Sequence, residues 1–155
     1  MRNLFNHVLA GAGLLIFAAT TVLANNAHLP PLDLYKSFVS APSETGWVVI
    51  GERPDRQTLY FVPLVGLTCG ISEVRYSVNS DTLDQRVNMP PCDGTFLLHV
   101  PRYRPKLLAS VDLAPGTAKT VTMQVVFTDG SKSEIRHFTP CPDVGRGICS
   151  RTIDQ

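Results

Sequence analysis

The 155-residue chain carries 14 Lys+Arg against 13 Asp+Glu, a formal charge of +1, so no global basic field draws it to nucleic acid and no acidic surplus marks it out. At 44% hydrophobic, 17% charged and 8% aromatic residues it is too apolar for disorder and too short for more than one ordinary domain with tails. No catalytic or cofactor motif is spelled out: GxSxG, HExxH, H-x-H and CxxC are all absent.

Arg2 precedes an uncharged stretch from Val8 to Ala24 that ends Val22-Leu23-Ala24, the pattern of a secretory signal peptide with a small-residue cleavage site. An uncleaved anchor is the alternative, but 17 uncharged residues sit at the lower limit for a span. Cleavage leaves 131 residues with a formal charge of zero and no transmembrane span, in a periplasm or outside the cell. All 12 prolines follow the leader, which argues for short strands punctuated by turns rather than long helices.

In chain order, Leu32, Tyr35 and Phe38 or Val39 share one helical face behind Pro30-Pro31, with Pro42 as the stop, so a short helix is expected. From Thr45 the pattern becomes β-rich. Trp47 to Ile50 and Thr58 to Val62 read as neighbouring strands around a loop from Gly51 to Arg56. Ile71 to Val78 alternates Val74, Tyr76 and Val78 with Glu73, Arg75 and Ser77, a half-buried strand. Gln85 to Met89, Thr95 to Val100 and Lys106 to Leu113 are further candidates. Thr120 to Thr128, Asp129-Gly130 and Ser131 to Phe138 predict a hairpin with a type I′ turn, since Asp and Gly both tolerate positive φ. The tail from Thr139 to Gln155 reads as irregular.

Cys69, Cys92, Cys141 and Cys149 all follow the leader, and an even count behind a secretion signal favours disulfides over metal or redox chemistry. Four cysteines allow three connectivities. Cys69–Cys92 with Cys141–Cys149 is favoured because each pair flanks a local segment holding turn residues; the spacings do not suit zinc. The organisation expected is a signal peptide over 1–24, an N-terminal segment with a short helix over 25–44, a β-sandwich over 45–138, and a tail with a small disulfide loop over 139–155.

Glu73 to Asn79, and later Lys119 to Phe127 with Asp129-Gly130-Ser131, resemble the middle and late strands of immunoglobulin-like or fibronectin-type-III-like modules of secreted proteins. The resemblance spans about Thr45 to Phe138 and lacks the antibody Cys-Trp-Cys spacing, since Trp47 precedes both Cys69 and Cys92. It implies an all-β, immunoglobulin-like two-sheet sandwich and a recognition or scaffold module rather than an enzyme; no binding residue is carried over.

The one segment with concentrated chemistry is Pro101 to Lys106. In an extended backbone Arg102, Arg104 and Lys106 project to one side and Tyr103 to the other, placing three cations within about 14 Å. They suit an acidic protein, a lipid head group or an anionic polymer; they suit a protected sheet edge better still. His99 near Asp93 is the sole cue for a small hydrolase, and a lone strand histidine is more often structural. Asn79 to Asp84 gathers oxygen ligands but lacks the calcium-loop Gly and Glu, so a polar turn is favoured. Trp47 reads as core rather than as a sugar platform. The expected function is a non-catalytic binding module for a protein or anionic polysaccharide, without cofactor, metal or nucleic acid. The alternative is an inhibitor of a hydrolase presenting the Cys141–Cys149 ring with Asp143 and Arg146 at its tip.

Overall fold

The computed structural model describes residues 29–42, 46–94, 109–142 and 148–153. Among these, two short helices and eight strands form: α1 Leu32–Ser40, β1 Val49–Glu52, β2 Gln57–Tyr60, α2 Val62–Val65, β3 Ile71–Val78, β4 Gln85–Arg86, β5 Ser110–Leu113, β6 Val121–Phe127, β7 Arg136–Pro140 and β8 Ser150–Ile153. The strands make two antiparallel sheets, ordered β1-β2-β5 and β4-β3-β6-β7-β8. The expected leader, the candidate strand Thr95 to Val100 and the residues Lys106 to Leu108 lie outside the described residues.

Both sheets turn apolar side chains into a shared core. Ile50 and Leu59 come from the smaller sheet and Val74, Tyr76, Val121, Met123, Val125 and Phe138 from the larger, all buried, while Val111 and Leu113 pack against them. The strict alternation of Val121, Met123, Val125 and Phe127 puts one face of β6 inward. Its register against β3 pairs Tyr76 with Met123 and Val74 with Val125, so the best-patterned strands are central neighbours. Phe61, just past β2, stacks tilted on Tyr76 of β3 with ring centroids 5.3 Å apart and joins the layers.

Helix α1 closes one end of this core. It buries Tyr35 and Val39, and the Trp47 indole N–H donates to the Val39 carbonyl at 3.0 Å. Trp47 is therefore core, as its apolar neighbours predicted. Arg136 secures the helix C-terminus: its guanidinium donates to the Ser40 carbonyl at 2.7 Å and lies 4.8 Å from the Trp47 ring centroid. A cation on the negative end of the helix and over an aromatic face is favourable twice.

Several boundaries differ from the sequence pattern. The first strand is shifted to Val49–Glu52, and the loop contracts to a turn closed by Arg53 N–H donating to the Arg56 carbonyl at 2.8 Å. The second stops at Tyr60 because Pro63, which lacks an N–H for a ladder, opens α2 instead. Gln85 to Met89 forms strand only at Gln85–Arg86. Ser77 is buried rather than solvated, and its hydroxyl donates to the Ser80 carbonyl.

The Asp129-Gly130 hairpin forms with a different turn. Gly130 has φ of 82°, whereas Asp129 does not have positive φ. Gly130 N–H donates to the Phe127 carbonyl and Phe127 N–H to the Ser131 carbonyl, enclosing a three-residue loop with a left-handed glycine last. Beyond it the ladder slips by one residue, from Val126 opposite Lys132 to Met123 opposite Arg136. Ser133 Oγ fills the slip by accepting from the Val125 N–H at 2.9 Å. The described part of the tail is likewise not all irregular: Thr139 and Pro140 end β7. Ser150–Ile153 pairs with β7 as an added strand.

Candidate functional site

Strand directions sort the connections into two ends. The α1 end holds the β2–β3 turn, the β6–β7 hairpin and the start of β5; the opposite end holds the β1–β2, β3–β4 and β5–β6 connections and the point where β7 hands over to β8. Seven residue steps of β3 separate the ends by about 23 Å.

At the α1 end the connection that carries the predicted cations is anchored twice. Cys92 is bridged to Cys69 in the β2–β3 turn, and the buried Ala109 accepts the Phe61 N–H at 2.9 Å through its carbonyl. Arg102, Tyr103, Arg104 and Lys106, with His99, lie between these anchors in sequence and outside the described residues; Asp143 and Arg146, between Cys141 and Cys149, also lie outside the described residues. Asp93 is described and exposed beside the Cys92 anchor.

The surroundings of those anchors are tightly built. Gly70, next to Cys69, lies against Tyr35, and its carbonyl accepts the Thr128 N–H at 3.1 Å, so this position has no room for a side chain. Lys36 of α1 reaches Asp129 of the hairpin at 2.7 Å while lying 5.6 Å from the Phe127 ring centroid. Hydrogen bonds from Lys36, then from the Ser131 hydroxyl and N–H, hold the Asp129 carboxyl well below the usual carboxylate range. A carboxyl with a lowered folded pKa stabilises the fold fully above its unfolded pKa, and that contribution disappears as pH falls through the folded value. Urea midpoints measured from pH 5 downward should therefore fall more steeply for the wild type than for Asp129→Asn, and equal slopes would remove Asp129 from the account.

At the opposite end the structure assembles a cluster that sequence spacing did not reveal. Thr122 Oγ1 donates to Asp81 Oδ1 at 2.8 Å and lies 3.2 Å from His137 Nδ1, which is 3.5 Å from the same carboxylate oxygen. The β6–β7 register places Thr122 opposite His137, information that exists only once strands pair. The buried Thr122 hydroxyl donates to Asp81 and so latches the β3–β4 loop to β6. Asn79, with φ of 56°, completes the latch: its side chain donates to the Thr117 carbonyl and accepts from the Lys119 and Thr120 N–H groups. The Asn79 to Asp84 oxygens thus serve a polar turn. Among the described residues no group of three His, Cys, Asp or Glu is placed to hold a metal ion, and no helix is long and apolar enough to cross a membrane.

Both disulfides have the favoured pairing, Cys69–Cys92 and Cys141–Cys149. Burial raises the phenol pKa of Tyr35 and, with help from the Asp84 charge, that of Tyr76, keeping both neutral in the core. Comparison of the chain with protein-family models, with curated proteins and with solved structures returned no match.

Proposed function

We propose that the protein is a non-catalytic binding module of a secreted or periplasmic setting, built as an immunoglobulin-like sandwich, whose contact residues are Arg102, Tyr103, Arg104 and Lys106. The observation that carries this reading is the double anchoring of their connection. Both anchors, the Cys92 bridge to the β2–β3 turn and the Ala109 carbonyl on the Phe61 N–H, sit at one end of the sandwich, and recognition loops commonly leave such scaffold ends. Three cations flanking a tyrosine select a carboxylated or sulfated surface, an acidic protein or an anionic envelope polymer.

The strand orders support the fold assignment. With β1 to β7 taken as A, B, C, C′, E, F and G, the strands among the described residues order as A-B-E and C′-C-F-G with β8 added beyond G, in keeping with an immunoglobulin-like sandwich. Two disulfides among the described residues suit an oxidising compartment. A second reading, inhibition of a hydrolase, is favoured by the Cys141–Cys149 ring at the opposite end, whose closure limits the entropy lost on docking.

Purified residues 25–155 should retain a partner from the soluble, wall or membrane fraction of the cell envelope, and Arg102→Ser/Arg104→Ser/Lys106→Ser should lose at least about tenfold in affinity, given about 1.5–3 kcal/mol for a hydrogen bond to a charged group. Equal retention by wild type and variant would move the contact away from this segment.

A further inference from the structure

We infer that the C-terminal arm, Ile148 to Ile153, is a redox clasp: it ties the two sheets together along one side and is locked by Cys141–Cys149. The arm spans both layers. Ile148 bridges Gly51 of β1, Cys149 N–H donates to the Ile50 carbonyl at 3.0 Å, and Ser150 Oγ donates to the Val48 carbonyl. From Ser150 onward the same arm pairs with β7 of the other sheet. It therefore covers the free edges of β1 and β7 at once.

Little apolar burial holds it there. Of β8 only Ser150 is buried; Arg151, Thr152 and Ile153 are exposed, Ile148 is 64% exposed, and the arm supplies no side chain to the core. Its docking rests on backbone hydrogen bonds, the Ser150 hydroxyl and the disulfide rather than on apolar burial, which marks a segment at the low end of local stability. The position of the bridge decides its role. The ladder pairs His137 with Ile153 and Pro140 with Ser150, so the next rung sets Cys141 opposite Cys149, and their Cα atoms are 5.5 Å apart, the separation of directly facing antiparallel residues. The bridge is thus the terminal rung of the ladder and fixes the register of everything beyond it. A slip of one residue would turn Ser150 away from Val48 and Arg151 toward the interior.

Opening is a two-electron step. A dithiol reductant closes its own disulfide, the Cys141–Cys149 S–S bond breaks, and the two protons of the reductant end on the two Sγ atoms. The freed arm leaves the unpaired backbone edges of β7 and β1 open to another strand. This device is independent of the cationic connection at the other end of the molecule.

Hydrogen exchange of the oxidised protein against Cys141→Ser/Cys149→Ser tests it, since the variant keeps Cys69–Cys92. Exchange should accelerate on the order of 50-fold in β1, β7 and the arm, from the lost closure of a short ring, and stay unchanged in β3 and β6. Unchanged protection in the arm would overturn the proposal, as would equal loss in β3 and β6. If the variant does not fold, graded reduction of the wild type with a dithiol, mapped by alkylation, reads the same segments; global unfolding when Cys141–Cys149 opens alone would also overturn it.

Discussion

Gly70→Ala should lower the unfolding free energy by about 3 kcal/mol or more, the combined scale of overpacking and of losing a buried aromatic. A Cβ at position 70 would lie 2.3 Å from Tyr35 Cγ, 2.5 Å from Cδ1 and 2.6 Å from Cβ. These atoms are at the root of the side chain, so no rotation of a flexible tip relieves the clash; the ring must leave or the helix must move. Because Tyr35 and Val39 are the buried residues of α1, displacing the ring loosens the whole helix, along with the Trp47 and Arg136 contacts at its C-terminus. The check is denaturant unfolding of Gly70→Ala, Tyr35→Ala and the double variant. Residues in contact couple, so the double variant should lose clearly less than the sum of the two single losses. Strict additivity would show that the contact does not set the cost.

Gln57→Leu should cost about 2–5 kcal/mol despite its nearly conserved volume. Gln57 is 1% exposed, and its amide closes two hydrogen bonds with Ala118: it accepts the Ala118 N–H at 2.6 Å and donates to the Ala118 carbonyl at 3.2 Å. Ala118 is itself buried in the β5–β6 connection, so neither backbone group can turn to water. Leucine would strand a donor and an acceptor, each at about 1–3 kcal/mol. Gln57→Glu keeps the acceptor but loses the donor and buries a charge, so it should be no milder. Guanidinium or urea unfolding at neutral pH measures both, and a loss below about 1 kcal/mol for Gln57→Leu would show that Ala118 finds other partners.

Periodicity made the core strands legible in advance. Ile71 to Val78 forms with the bounds its alternation indicated, and Val121 to Phe127 fills the centre of the larger sheet. Local spacing also indicated α1 and both cysteine pairs, because each signal lies within a short window. What escaped depends on contacts between distant residues. Nothing near Gly70 announces a tyrosine 35 positions earlier, and the Asp81, Thr122 and His137 cluster exists only through the β3–β6–β7 register. The Asp129-Gly130 turn shows a finer failure: the dipeptide marked the hairpin, but Ser133 accepting from Val125 set a one-residue slip and hence a three-residue loop. Ser150–Ile153 carries no strand signal because its polar, exposed residues lack an apolar alternation; it is a strand through its pairing with β7, next to the Cys141–Cys149 bridge.

The proposed contact is the cationic connection between Cys92 and Ala109. The most direct test is the salt dependence of partner retention by residues 25–155, wild type against Arg102→Ser/Arg104→Ser/Lys106→Ser. Charge-mediated contact predicts retention at low ionic strength, release of the wild type as the Debye length shortens toward about 3 Å near 1 M salt, and no retention by the variant at any salt. A partner held equally by both proteins and indifferent to salt would contradict the account.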